Sequence, residues 1–188
     1  MKILEPGTET EVADGQIGEL VATGPYTLRG YFDAAEHNAT AFTSDGFFRT
    51  GDLASIQSID GQRYISLEGR IKDLINRGGE KINSAEVEGL LLKHPAVVDA
   101  ALISMPDERL GERACAYVVV TEGSGLNHEG LRQHFAALGV AKFKWPERVE
   151  IVEQLPRTPV GKIDKKSLHA DVVAKLDAER GELQQPAR

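Results

Sequence analysis

The chain has 188 residues and a mass of 20.4 kDa, which at about 150 residues per domain allows one domain or two. A hydrophobic fraction of 41% supports a real core and excludes wholesale disorder. Lys and Arg number 22 against 29 Asp and Glu, giving a net charge of −7 and a pI near 5.3, so the chain as a whole does not attract a nucleic-acid backbone. The lone Cys115 forms no intramolecular disulfide, which fits a reducing cytoplasm. No apolar run reaches the ~18 residues that span a bilayer, and Met1-Lys2-Ile3-Leu4-Glu5-Pro6 meets charge and proline too early for a signal peptide.

Of the 19 glycines, 11 lie in the first 80 residues, spaced singly between short apolar runs, a rhythm of strands and turns. Ile56 to Leu67 is the clearest case. Two strand-like runs flank Asp60-Gly61, a dipeptide suited to a type I′ hairpin turn. Residues 1–68 therefore read as a small β-rich module. Beyond Gly78-Gly79, Asn83 and Glu86 resemble a capping box for a helix with Val87, Leu90 and Leu91 on its apolar stripe, stopped by Pro95. Val97–Ser104 and Ala114–Val120 read as strands, with Met105-Pro106-Asp107 turning the chain between them. Leu131, Phe135 and Leu138 mark a further helix, and Arg148–Val152 an edge-like strand. Leu168, Val172 and Leu176 mark a last helix capped by Asp164, with a polar tail fraying from Ala178. The fold class is α+β: a β-rich piece over 1–70, then an α+β sandwich over 71–188.

Three segments stand out chemically. In Phe48-Arg49-Thr50-Gly51-Asp52-Leu53 a turn presents the Asp52 carboxylate, whose two oxygens suit a vicinal diol; the plainer alternative is a turn-forming Asp. Arg70, Lys72, Arg77 and Lys81 surround Gly78-Gly79, and bare N–H groups beside cations can hold an anion; the alternative is a solvated charged loop. In Leu155-Pro156-Arg157-Thr158-Pro159-Val160-Gly161-Lys162-Ile163-Asp164 two prolines hold the segment out of regular structure, and Gly161 turns the chain before Lys162, a mobile point charge. The alternative is a plain loop before a helix. It is not a P-loop, because Pro156 and Ile163 stand where that motif needs Gly and Ser or Thr.

The five histidines and one cysteine show no metal-ligand spacing. Cys115, inside an apolar run, reads as a buried inert thiol, and Asp107, Glu108 and Glu112 as a solvated turn. Trp145 is a packing aromatic or an exposed docking spot.

The order of these motifs resembles the adenylate-forming superfamily of acyl-CoA synthetases, luciferases and nonribosomal adenylation domains. The resemblance runs from Gly18-Glu19-Leu20, Gly30-Tyr31 and Phe42 through Arg49-Thr50-Gly51-Asp52 and Gly69-Arg70-x-Lys72-Asp73. It continues through Gly78-Gly79-Glu80-Lys81-Ile82, Glu86-Val87-Glu88 and Pro159-Val160-Gly161-Lys162. Residues 75–82 and 143–150 are most similar to the stand-alone aryl-acid AMP ligases of siderophore pathways, which activate 2,3-dihydroxybenzoate or salicylate.

The resemblance implies a role for each residue. Asp52, with Arg70, would receive the ribose hydroxyls of ATP. Lys162 would bridge substrate carboxylate and nucleotide during adenylation. Lys72 would be the hinge of a swinging small domain, and Gly78-Gly79 would line the channel of a phosphopantetheine arm. ATP with Mg²⁺, an aromatic carboxylic acid, and an aryl-carrier protein or CoA are the implied cofactors and partners, with no metal ligand in the chain. The family's large amino-terminal region, with its phosphate loop and acid pocket, is not represented. The expectation is therefore a carboxy-terminal portion that is inactive alone. The alternatives are an acyl-CoA ligase and a non-catalytic carrier-docking module.

Overall fold

In a computed structural model, residues 1–183 are described, and they divide into two compact units, Met1–Asp73 and Leu74 onward.

The first unit is an antiparallel sheet in chain order: β1 (Lys2–Leu4), β2 (Gly18–Ala22), β3 (Phe48–Ile59) and β4 (Gln62–Arg70). The β3–β4 hairpin turns at Asp60-Gly61 as the sequence predicts, with φ of +52° and +76° and Ile59 paired to Gln62. Ile3, Ala54 and Ile56 form its small core, with Val12 and Leu20 packed against them. Within this β-rich module lies a short helix the sequence reading omits, α1 (Ala35–Ala41). Asn38 on α1 holds the preceding loop by accepting from Tyr31 N at 2.7 Å and donating to Tyr31 O at 2.8 Å.

A single 3-10 turn, Ile71–Asp73, follows β4 and packs on β3, so the division falls three residues later than the expected 70/71 boundary.

The second unit contains β5 (Leu74–Arg77), β6 (Glu80–Asn83), α2 (Ser84–Leu91), β7 (Val97–Asp107), β8 (Gly111–Val120), α3 (His128–Ala137), β9 (Arg148–Ile151) and α4 (Lys165–Leu183). Its sheet runs β6-β5-β8-β7, and β9 lies parallel to β8. Alternation along β7 and β8 sends Ala100, Leu102, Ala114, Ala116 and Val118 to one face with Leu91, Leu131 and Phe135 of α2 and α3. Ala101, Ile103, Cys115 and Tyr117 go to the other face with Leu168 and Val172 of α4. Both faces are covered, which is why these strands read as unbroken apolar runs.

Two expectations need correction. Met105-Pro106-Asp107 is not a turn: β7 runs through it, with Pro106 opposite Glu112. Proline is tolerated there because β7 is an edge strand. The turn comes at 108–110, where Asp107 Oδ1 accepts from Arg109 N at 3.1 Å and Leu110 N at 2.8 Å. The chain also does not fray from Ala178: α4 continues to Leu183, its last turns held by Glu179 on Arg148 at 2.8 Å and Arg180 on Glu108 at 3.4 Å. The rest of the expected tail lies outside the described residues.

Candidate functional site

In the first unit the chemistry is set by an irregularity in β3. Arg49 pairs with Val21 and Leu53 with Glu19, so residues 50–52 bulge opposite the single Leu20. A bulge re-aims the side chains it carries. Gly51 makes it possible with φ of +71°. Thr50 Oγ1 donates to Leu20 O at 2.7 Å and accepts from Asp52 N at 3.0 Å, fixing the loop from within. On its other side Asp52 lies directly across from Arg70, whose Nε meets Asp52 Oδ1 at 2.9 Å. Asp52 is about a quarter exposed, at 27%.

Beside this pair an open pocket of about 370 Å³ is lined by Glu19, Thr50, Gly51, Arg70, Ile71 and Lys72. Its floor is charged but internally neutralised: buried Glu19 pairs with Arg49 at 2.6 Å, and Arg49 also donates to Thr8 O at 2.9 Å. Lys72 is exposed in the 3-10 turn, one residue before the first unit ends.

In the second unit Gly78 and Gly79 are the two turn residues of the β5–β6 hairpin, with φ of +59° and +98° and Arg77 paired to Glu80. Both positions need positive φ, which glycine adopts without strain. The alternative of an anion cradle is not formed here. Gly78 N donates to Leu110 O at 2.8 Å and Gly79 N to Asn76 Oδ1 at 3.2 Å, so neither N–H is bare. Arg70 and Lys72 belong to the first unit, while Arg77 in the second is held by Glu147 at 2.5 Å.

Lys162 sits on the loop between β9 and α4. Leu155, 5% exposed, anchors that loop in the core, and Asp164 caps α4 by accepting from Ser167 N at 3.2 Å. Between them the chain closes on itself: Thr158 N donates to Lys162 O at 2.7 Å, and Gly161 N to Thr158 O at 2.8 Å. The Lys162 side chain is exposed, and among the described residues no hydrogen bond or ion pair engages its ammonium.

Sequence reasoning missed what holds this loop. Arg157 donates from Nη1 to Gly161 O at 3.0 Å and from Nη2 to Asp99 Oδ2 on β7 at 2.6 Å. Lys165 reaches Glu88 of α2 at 2.7 Å, and Glu88 also accepts from Leu102 N at 2.7 Å. These partners lie far apart in sequence, 58 residues for Arg157 and Asp99, so no local pattern announces them. Among the described residues no three His, Cys, Asp or Glu side chains converge into a metal site. Cys115 is fully buried, and burial pushes its thiol up to about 12, so it is no nucleophile. Trp145 is a packing aromatic, stacked near Phe135 and donating to Val140 O at 2.8 Å.

The sequence and the fold both resemble known proteins. Residues 86–162 fit the AMP-binding enzyme C-terminal domain. Over that segment the chain is similar to the AMP-binding enzymes. More narrowly, it is 49% identical over 181 residues to enterobactin synthase component E of Escherichia coli, covering 92% of this chain and 33% of that protein. It is 49% identical over 168 residues to the 2,3-dihydroxybenzoate-AMP ligase of Bacillus subtilis, covering 89% of this chain and 30% of that one. The crystal structure of ATP-bound MatB from Rhodopseudomonas palustris superposes with a TM-score of 0.83 at 32% identity, over 90% of this chain and 33% of that one. The chain thus spans about a third of the length of the relatives it matches.

Proposed function

We propose that this chain supplies the ribose-binding strand and the catalytic lysine loop of an aryl-acid AMP ligase. The substrates are an aromatic acid of the 2,3-dihydroxybenzoate or salicylate class and ATP. The observation that carries the reading is Lys162: an unpartnered ammonium on a loop whose own backbone is tied on both sides.

The first half-reaction is attack of a substrate carboxylate oxygen on the α-phosphorus of ATP. The Pα–O bond to the β-phosphate breaks, and pyrophosphate leaves with the electron pair. Charge gathers on the oxygens around phosphorus, and a fixed cation there stabilises the transition state without moving a proton. Lys162 fills that role. Asp52 Oδ2 accepts from the ribose hydroxyls, while Arg70 holds Oδ1 and thereby orients the carboxylate. Mg²⁺ would come with the nucleotide's phosphates.

In the second half-reaction a thiolate attacks the acyl carbonyl, AMP leaves, and a thioester forms. Lys72, beside the division between the units, serves as the hinge that exchanges one catalytic face of the small domain for another. The rigid Gly78-Gly79 turn lines the path of the phosphopantetheine arm. The acceptor is the arm of an aryl-carrier protein. ATP dependence and a reduced Cys115 suit the cytoplasm.

The test uses an enzyme assembled from this chain and the remaining part of the E. coli relative. Lys162→Ala should lower ATP–pyrophosphate exchange by about 10²–10³-fold and leave thioester formation from preformed aryl adenylate largely intact. Loss of both half-reactions counts against the role given to Lys162. Transfer to CoA in preference to a holo carrier protein makes the enzyme a CoA ligase. Carrier binding without any exchange by the unsubstituted enzyme leaves a docking module.

A further inference from the structure

We propose that Arg157, held by Asp99, is a positioning residue that sets where the Lys162 ammonium stands. The inference rests on the adenylating role given to Lys162 and goes beyond it.

The geometry is a fork. One arm of the Arg157 guanidinium, Nη1, takes the carbonyl of Gly161, the residue directly before Lys162, at 3.0 Å. The other, Nη2, takes Asp99 Oδ2 at 2.6 Å. Asp99 is itself oriented, because its Oδ1 accepts from Ala100 N at 3.0 Å. Asp99 lies in β7, paired in register to Val119 of β8, so the fork ends on the sheet rather than on another loop. Arg157 also bridges to Ile163, closing residues 158–162 into a ring whose carbonyls at Gly161 and Lys162 are both taken.

The pair is not placed to stabilise the fold. Arg157 is about half exposed, at 52%, and exposed ion pairs add little to global stability. What the fork does is hold a peptide plane. Gly161 has φ of +81°, and while its N–H is tied to Thr158 O, its carbonyl is held by Arg157 rather than by the loop's own backbone. A lysine substitutes only in part, since its compact ammonium lacks the planar fork geometry of a guanidinium. A long flexible side chain starting from a loose peptide loses the alignment that adenylation needs, and misplacement of about 1 Å is worth up to about 10²-fold in rate.

The experiment measures both half-reactions in the assembled enzyme described above, for Arg157→Met, Arg157→Lys and Asp99→Asn, with Lys162→Ala alongside. Arg157→Met and Asp99→Asn should lower kcat for ATP–pyrophosphate exchange by ~10-fold or more. KM for ATP and for 2,3-dihydroxybenzoate should stay within about twofold, as should transfer from preformed aryl adenylate. Arg157→Lys should fall between Arg157→Met and the parent. In the 188-residue chain, Arg157→Met should speed hydrogen exchange at the Thr158 amide by ~10-fold, with an unchanged urea midpoint.

Exchange activity within about twofold of the parent in Arg157→Met, while Lys162→Ala is inactive, overturns the proposal and leaves the reading of Lys162 standing. Equal losses in both half-reactions, or a lowered urea midpoint matching the loss, also overturn it, because they mark a general structural effect. Full exchange activity in Lys162→Ala overturns the underlying reading instead. If Arg157→Met does not fold, Asp99→Asn, which removes only a negative charge at the far end of the fork, decides the matter.

Discussion

The two units fold by different means. In the second, the sheet is buried on both faces, with Phe135, Leu91 and Leu131 on one side and Leu168, Val172 and Tyr117 on the other. In the first, the core is Ile3, Ala54 and Ile56, and large apolar side chains stay in water: Tyr26 at 101% exposure, Phe32 at 99% and Leu67 at 68%. The groups of the proposed site follow the same division. Asp52 sits on a bulge of β3 against β2 and faces Arg70 of β4, all within one sheet, whereas the Lys162 loop is tied through Arg157 to β7, 58 residues away in sequence.

The sharpest way to break this comparison is to remove core volume from each unit in turn. Phe135, 1% exposed, should cost about 3–5 kcal/mol as Phe135→Ala. Trp145, the single tryptophan, packs near Phe135 with ring centroids 6.3 Å apart, so its fluorescence in urea reports the second unit. The midpoint of that transition should fall sharply in Phe135→Ala. Ile56→Ala, at a smaller core, should cost about 2–3 kcal/mol, seen by far-UV circular dichroism, and leave the tryptophan transition where it was. A shift of the tryptophan midpoint in Ile56→Ala would show that the units do not unfold separately.

A smaller effect comes from acid. On the α4 face of the second unit Lys175 binds Glu150 at 2.6 Å and Asp171 at 2.8 Å, and Tyr117 donates to Asp171 at 2.6 Å. Arg148 joins Glu150 at 2.6 Å and Glu179 at 2.8 Å. Burial pushes the Glu150 carboxyl up, but Lys175 and Arg148 outweigh it and hold it below its ordinary 4.5. Lys175, then Tyr117, hold Asp171 below 3.8. Carboxyls depressed in the folded state stabilise it above their unfolded values. That contribution should therefore be complete above about pH 5 and disappear as pH falls through the folded values, below 4.5 for Glu150 and below 3.8 for Asp171. Lys175→Met should cost about 1–2 kcal/mol at pH 7 and much less near pH 3, read by urea titration with tryptophan fluorescence. A cost independent of pH would assign the loss to packing of the lysine stem instead.

How much of this was legible depended on how far each interaction reaches along the chain. The Asp60-Gly61 hairpin, the Asn83 cap and the Asp164 cap were readable because each is settled within four residues. The strands of the second unit were readable as apolar runs, but Pro106 misled, since an edge position that tolerates proline depends on the sheet's order. The Asp52 bulge involves three strands, and the Arg157 fork joins residues 58 apart. Lys162 itself stood out through Gly161 and two prolines; what points it did not. In α4 the polar composition after Ala178 hid ion pairs to Arg148 and Glu108 that no local pattern contains.

The smallest effect tests the same contrast at the helix ends. In the second unit α2, α3 and α4 each begin with a side chain that accepts backbone N–H groups: Asn83 from Ala85 and Glu86, Asn127 from Gly130, and Asp164 from Ser167. In the first unit α1 begins at Ala34, which has no side chain to do so. The first N–H groups of a helix lack partners within it, and a Ser, Asn or Asp cap is worth roughly 0.5–2 kcal/mol over Ala. Asn127→Ala should therefore lower the stability of the second unit by about 1 kcal/mol. Ala34→Ser should raise that of the first by about 0.5 kcal/mol, the low end applying because α1 is only 7 residues long. Urea titrations followed by circular dichroism and tryptophan fluorescence read the two separately. No gain from Ala34→Ser would mean that the entry into α1, where Ala34 has φ of −134° and ψ of 57°, is set by the Asn38–Tyr31 bonds and not by a missing cap.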